Sequence, residues 1–251
     1  MSDFLLIHGA GQGAWSWGKV WGHMTAPAEH PPRLFLARQS VRVRAVDLPG
    51  HGADAANDVA MVDMSESVQT VARVAEQEDF RDFTLVGHEL GGTVALLAAP
   101  ELSIKPKRII LVGGIVPGNG RPPASVYPAP VGALIRLCRT LSAFSGRDIP
   151  VPIGAINRYW CRGLDNMQQA QTIGHFGPLP LRMLTHPVSL DLGNLPCPVT
   201  YVVLGNDRLI TPSRQRAMAA RIPNATAVEL DAAHQVAVQR PRELAETLLA
   251  A

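Results

Sequence analysis

The sequence predicts an α/β protein with a doubly wound, mostly parallel sheet and an inserted lid, and three observations carry that prediction. Short, apolar, β-branched runs alternate with helix-length segments, the pattern of parallel strands joined by crossover helices. A glycine-rich turn links one such strand directly to a small-residue helix at residues 83–97. Between 114 and 189 the alternation stops and prolines crowd in, including Pro117, Pro122, Pro123, Pro128 and Pro130. The chain has 251 residues, the size of one α/β domain carrying an elaborated insertion. The expected division is a core made of 1–113 and 190–251, with 114–189 as the lid.

Residues 3–7 read as a buried strand and 8–14 as a glycine-rich loop. Trp15, Trp17, Val20 and Trp21 recur at helical spacing, so they are expected to pack a first helix on the sheet. Residues 26–40, with Pro27, Pro31 and Pro32, read as a surface excursion. Residues 41–47 alternate like a strand and run into the turn cluster Leu48-Pro49-Gly50-His51-Gly52, where His51 is expected to be structural. An amphipathic helix is expected at 65–78 with Ser65 or Asp63 as its cap. The strand at 83–87 leads into a helix at 89–99, and after Pro106 a further buried strand is expected at 108–113. Helical patches are expected within the lid at 131–144 and 153–173. The core resumes with a strand at 198–204, a helix at 212–221, a strand at 226–230 and a terminal helix from 239.

Composition narrows the function classes. A formal charge of +2 is too small to argue for nucleic acid or a membrane surface. Three cysteines, Cys138, Cys161 and Cys197, lie far apart and form no disulfide framework or metal spacing. With a strand beginning by residue 3, no room for a leader and no apolar run of membrane-spanning length, the expectation is a cytoplasmic protein. The lid carries Arg121, Arg136, Arg139, Arg147, Arg158, Arg162 and Arg182 against Asp148 and Asp165. These arginines are either a solvated basic face or a means of selecting an anionic or polar substrate. The sequence carries no signal of oligomeric state.

The chemistry centres on Gly87-His88-Glu89-Leu90-Gly91-Gly92, a tight turn between strand and helix that lifts one side chain to the carboxyl edge of the sheet. Gly87 and Gly91 keep neighbouring side chains clear of that turn. Three other stretches accompany it in order: Leu5-Leu6-Ile7-His8-Gly9-Ala10-Gly11-Gln12-Gly13, then Leu204-Gly205-Asn206-Asp207, then Leu230-Asp231-Ala232-Ala233-His234. Together they resemble the α/β-hydrolase superfamily, in the branch of hydroxynitrile lyases and plant methylesterases. The central residue of this elbow is ordinarily Ser. Here it is Glu89.

The resemblance implies His234 as base, Asp207 as its orienting acid, and the N–H groups of Ala10 and Leu90 as an oxyanion hole. Gly9, His88 and Gln235 border those positions and are expected to bind substrate. No metal or organic cofactor is expected, and the partner is a small-molecule organic substrate. A carboxylate at a helix N-terminus beside an imidazole is expected to be ionised. Glu89 is then a nucleophile or base, with His234 and Asp207 activating water, for an ester, lactone or epoxide. The alternative is a lyase, isomerase or cyclase using Glu89 and His234 as an acid–base pair. Cyanohydrin cleavage is disfavoured, because the lyases of that branch carry Lys directly after the catalytic His and this chain carries Gln235. A catalytically silent receptor, or an engineered Ser-to-Glu change, is the third class.

Overall fold

The computed structural model describes residues 2–26, 41–54, 59–145 and 149–251. Most of the surface excursion expected at 26–40 lies outside the described residues. Six strands form one sheet in the order β2-β1-β3-β4-β5-β6, and every neighbouring pair is parallel. The strands are β1 (Ser2–Ile7), β2 (Val41–Val46), β3 (Phe83–His88), β4 (Arg108–Val112), β5 (Val199–Leu204) and β6 (Thr226–Leu230).

Alternation along these strands fills two cores, one on each face. Leu5, Ile7, Leu85, Ile109, Leu111, Tyr201 and Val203 enter one cluster. Phe4, Leu6, Val86, Ile110, Val112, Val202 and Leu204 enter the other. Helices α1 (Gly18–Thr25) and α10 (Pro241–Ala250) cover the second face, through Val20, Met24, Leu244 and Leu248. Helices α2 (Met64–Gln77) and α3 (Leu90–Glu101) lie on the first, through Val71, Val74, Val94 and Ala98. Strand order reverses between β1 and β3, and ligands of such sheets bind just beyond the carboxyl ends at that point.

Several expectations shift in detail. Trp17 and Val20 are buried against the sheet, but Trp21 is 41% exposed and takes no part in that packing. Asp63, not Ser65, caps α2: its side chain accepts from the Glu66 N–H while Glu66 reaches back, and Ser65 donates to Asp63 instead. His51 is buried with Nδ1 on the Pro49 carbonyl, a turn residue as expected. The terminal helical region begins with α9 (Val236–Gln239) and continues as α10 after Arg240.

Between β4 and β5 the described residues of 114–189 form no strand of the sheet. They fold as α4 (Ala129–Ser145), α5 (Ile153–Tyr159), α6 (Asn166–His175) and α7 (Leu181–Thr185). The helical patch expected at 153–173 is thus two helices. The first ends at Tyr159, Gly163 takes φ +96 in the connection, and Asp165 caps the second through a reciprocal pair with Gln168. Helix α8 (Pro212–Ala219) follows β5.

Candidate active site

Glu89 sits at the strand-to-helix junction with φ 50 and ψ −117. A left-handed conformation at a non-glycine residue costs on the order of 1–3 kcal/mol and persists only when its surroundings fix it. They do: the Glu89 carbonyl accepts from Gly92 N–H at 3.0 Å and Ile115 N–H at 2.8 Å, while its own N–H donates to Val112. Close approach explains the glycines, since a Cβ on Gly91 would lie 2.5 Å from the His8 carbonyl oxygen.

The carboxylate of Glu89 occupies the cradle that the sequence assigns to an oxyanion. Its Oε2 accepts from Ala10 N–H at 2.7 Å and from Leu90 N–H at 2.6 Å. Its Oε1 accepts a hydrogen bond from the hydroxyl of Tyr127. Burial pushes its pKa upward, against the pull of His234 and of the two backbone donors. Burial thus works against the ionisation that His234 and the backbone donors favour.

His234 and Asp207 meet as expected. His234 Nδ1 donates to Asp207 Oδ2 at 2.9 Å, which leaves Nε2 as the basic nitrogen, buried and without a hydrogen-bond partner. Burial alone would lower the His234 pKa, but Asp207, with help from Glu89, raises it. Asp207 is itself fixed by the N–H groups of Leu209 and Ile210 and by Gln215 Nε2 at 2.9 Å. Glu89, Asp207 and His234 are each 1% exposed.

The three neighbours expected to bind substrate fall into different places. Gly9 donates its N–H to Gln12 Oε1, and a Cβ there would press on Glu89 Oε2 at 2.8 Å. His88 lies behind the imidazole, with Nε2 against the His234 carbonyl oxygen at 3.0 Å and Nδ1 near Gln12. Burial, then the charge of His234, lowers its pKa to about 3. Its contacts brace His234 from behind. Gln235 accepts from Gln12 through Oε1, while its Nε2 is buried and unpartnered. Two adjacent residues thus each hold a buried nitrogen with nothing bonded to it.

Sequence reasoning missed Tyr127, Gln12 and Gln215. Tyr127 arises where the 114–189 segment folds back. Its ring packs edge-on against Trp160 at 5.8 Å, and Trp160 in turn meets Phe176 at 6.4 Å. That segment touches the core at Gly11, whose carbonyl accepts from Gly177 N–H at 2.7 Å. Gly11 has φ +72, and a Cβ there would run into the Phe176 ring. Of the arginines in this segment, Arg182 pairs with Asp63 at 3.8 Å, and Arg147 lies outside the described residues.

A parallel sheet with a strained carboxylate at its elbow, a buried His–Asp pair and two converging N–H groups defines an α/β-hydrolase-type protein. The chain belongs to the Alpha/beta hydrolase family, whose profile matches residues 4–247, and it is placed among hydrolases by fold, family and the order of these residues. It is 26% identical to methylesterase 9 of Arabidopsis thaliana over 261 residues, covering 99% of this chain and 97% of that one. Norfluorocurarine synthase 2 of Strychnos nux-vomica is 22% identical, with 98% and 93% covered. An extracellular α/β-hydrolase from a Paenibacillus species superposes with a TM-score of 0.80 at 21% identity, covering 100% of this chain and 99% of that one. A methylesterase structure from Arabidopsis gives 0.72 at 19% identity, covering 100% and 98%. Among the described residues no helix is long and apolar enough to cross a membrane.

Proposed function

We propose that the chain is an esterase-like hydrolase of a small or medium organic substrate, an ester, lactone or epoxide, acting through an ester formed on Glu89. The single observation that carries this reading is the division of labour between the two carboxylate oxygens. Oε2 is held by the backbone N–H groups of Ala10 and Leu90, so Oε1, whose one partner is the Tyr127 hydroxyl, is the oxygen left to attack. Attack of Oε1 on a saturated carbon breaks the bond from that carbon to the leaving oxygen. The hydroxyl of Tyr127, already on Oε1, is placed to give that oxygen its proton.

The second half uses the same arrangement. Once Oε1 is esterified, Oε2 is a carbonyl oxygen already seated between two N–H donors. His234 Nε2 takes a proton from water, the hydroxide attacks Cδ of Glu89, and negative charge gathers on Oε2 where those donors stabilise it. Collapse expels Oε1 with the product, which takes the proton from His234. Glu89 keeps the oxygen from water and emerges as a carboxylic acid, whose proton returns to Tyr127 and restores both groups for the next turnover. Of the three substrate classes the epoxide suits Tyr127 best, because ring opening leaves an alkoxide that needs a proton at once.

The region 114–189 serves as a lid in this reading. An apolar cavity of about 320 Å³ lies among Val151, Ile153, Ile156, Phe176 and Leu179. It adjoins the Phe176–Trp160–Tyr127 row of rings, which favours an apolar carbon skeleton. A second reading, methyl-ester cleavage at the carbonyl, is favoured by the methylesterase relatives. It requires Glu89 to vacate the backbone donors that its own carboxylate fills. An acid–base pair of Glu89 and His234 is supported less, since His234 Nε2 has no hydrogen-bond partner.

Single turnover in ¹⁸O-water with an aryl epoxide, a methyl ester and a lactone, followed by peptide mass spectrometry, tests the proposal. Label in the peptide carrying Glu89 is the expected result. Turnover with label in the product alone would sink the covalent route.

A further inference from the structure

The segment 114–189, helix α8 and the turn after it border an open cleft of about 290 Å³ lined by Arg121, Ser125, Arg214, Ala217 and Arg221, none of them a residue of the candidate active site. No carboxylate lines it, and among the described residues none of the three arginines makes an ion pair within 4.0 Å. Three like charges around one small cavity repel each other unless water or an anion separates them. Two of them are also held in place. Arg214 Nη1 donates to the Val126 carbonyl at 2.7 Å, and Arg221 Nη1 donates to the Val116 carbonyl at 2.8 Å.

All three side chains face solvent, and the anchoring of two of them is what gives the group a fixed geometry. A guanidinium that spends one N–H on a fixed carbonyl loses much of its freedom, and its remaining donors are pre-set for a planar, multidentate acceptor. Arg214 and Ala217 lie about one turn apart on α8, Arg221 follows just past its end, and Arg121 of the 114–189 segment completes the lining. We propose that this cleft is a binding site for a small soluble anion bearing two or three negative charges on phosphate or carboxylate groups. The site goes beyond the hydrolytic reading and does not depend on it.

Titration calorimetry at low ionic strength, with inorganic phosphate and with citrate as probes, decides the matter. Saturable binding is expected for the wild-type protein, weakened by added salt and by about tenfold or more in the Arg214→Gln/Arg221→Gln double variant. Because that variant also removes two bonds to carbonyls, Ala217→Glu is the companion: it puts a carboxylate into the cleft and leaves the anchors intact. Loss of binding in Ala217→Glu, with an unchanged circular dichroism spectrum, supports the site. No saturable binding to wild type, or binding equal in both variants, overturns it, as does capture only by vesicles containing anionic lipid.

Discussion

Two walls meet at Glu89, and they are built from different materials. The sheet-side wall acts on the carboxylate through backbone: the N–H groups of Ala10 and Leu90, in loops fixed by glycine contacts and by the register of β1 beside β3. The wall from 114–189 acts through side chains alone, with Tyr127 on Oε1 and Trp160 and Phe176 behind it. Backbone donors survive almost any substitution at their own positions, whereas a phenol or indole is lost in one. In the proposed reaction the sheet side holds the oxygen on which charge gathers, and the other side supplies the proton donor.

The most severe way to break that contrast is to remove the group both walls share. Glu89→Gln keeps the shape and the bonds to Ala10 and Leu90 but cannot attack, so kcat is expected to fall by at least about a thousandfold. Its companion, His234→Ala, should stall after the first step and accumulate a mass adduct on the Glu89 peptide. A stoichiometric adduct would sharpen the proposal, and full turnover in either variant would end it. Because burial raises the pKa of Glu89 and its neighbours raise that of His234, the deprotonated forms of both gain with pH. The kcat/KM profile is thus expected to rise from acid through neutral pH, with any alkaline fall reporting loss of the Tyr127 proton.

Tyr127→Phe tests the side-chain wall by itself. Loss of about a hundredfold in kcat on an epoxide is expected, the scale of a general acid, with a smaller loss on substrates whose leaving oxygen needs no proton. Equal loss on both would reduce Tyr127 to packing.

The sheet-side wall should reveal itself in acid. His8 and His88 are both held to a pKa of about 3, in each case first by burial. The unfolded chain takes up protons near 6.5 that the folded protein refuses, so stability present above that value is lost as pH falls toward 3. Each residue contributes a slope of up to about 1.4 kcal/mol per pH unit. Urea unfolding followed from pH 7 to 4 measures it, and a flat response would remove both histidines from the account.

The smallest effect is expected where the walls touch. Gly11→Ala forces a side chain onto φ +72 and into the Phe176 ring, costing about 1–2 kcal/mol. Differential scanning calorimetry reads the loss. An unchanged melting temperature would mean that Phe176 yields freely.

How much of this was legible in the sequence follows the same division. The elbow, the sheet and the His234–Asp207 pair are written locally: glycines where backbones collide, alternating apolar residues, and loops that end strands. The partner of Glu89 Oε1 is not, because Tyr127 stands 38 residues further on and reaches the site only after the segment folds back. Gln215 was equally invisible, since a glutamine on a helix shows no sign of which carboxylate it will meet. Trp21 erred in the other direction, carrying a core residue type on the helical face that remains partly in water. The break at Gly163 was readable from its glycine and the Asp165 cap, but the helical spacing on either side hid it.

The row formed by Tyr127, Trp160 and Phe176 has a kinetic corollary. On the reading of 114–189 as a lid, a substrate passes these three rings on its way to Glu89. Turnover would then be paced by an opening event, slowing as solvent viscosity is raised, and Phe176 would act as the latch that decides how often the door swings.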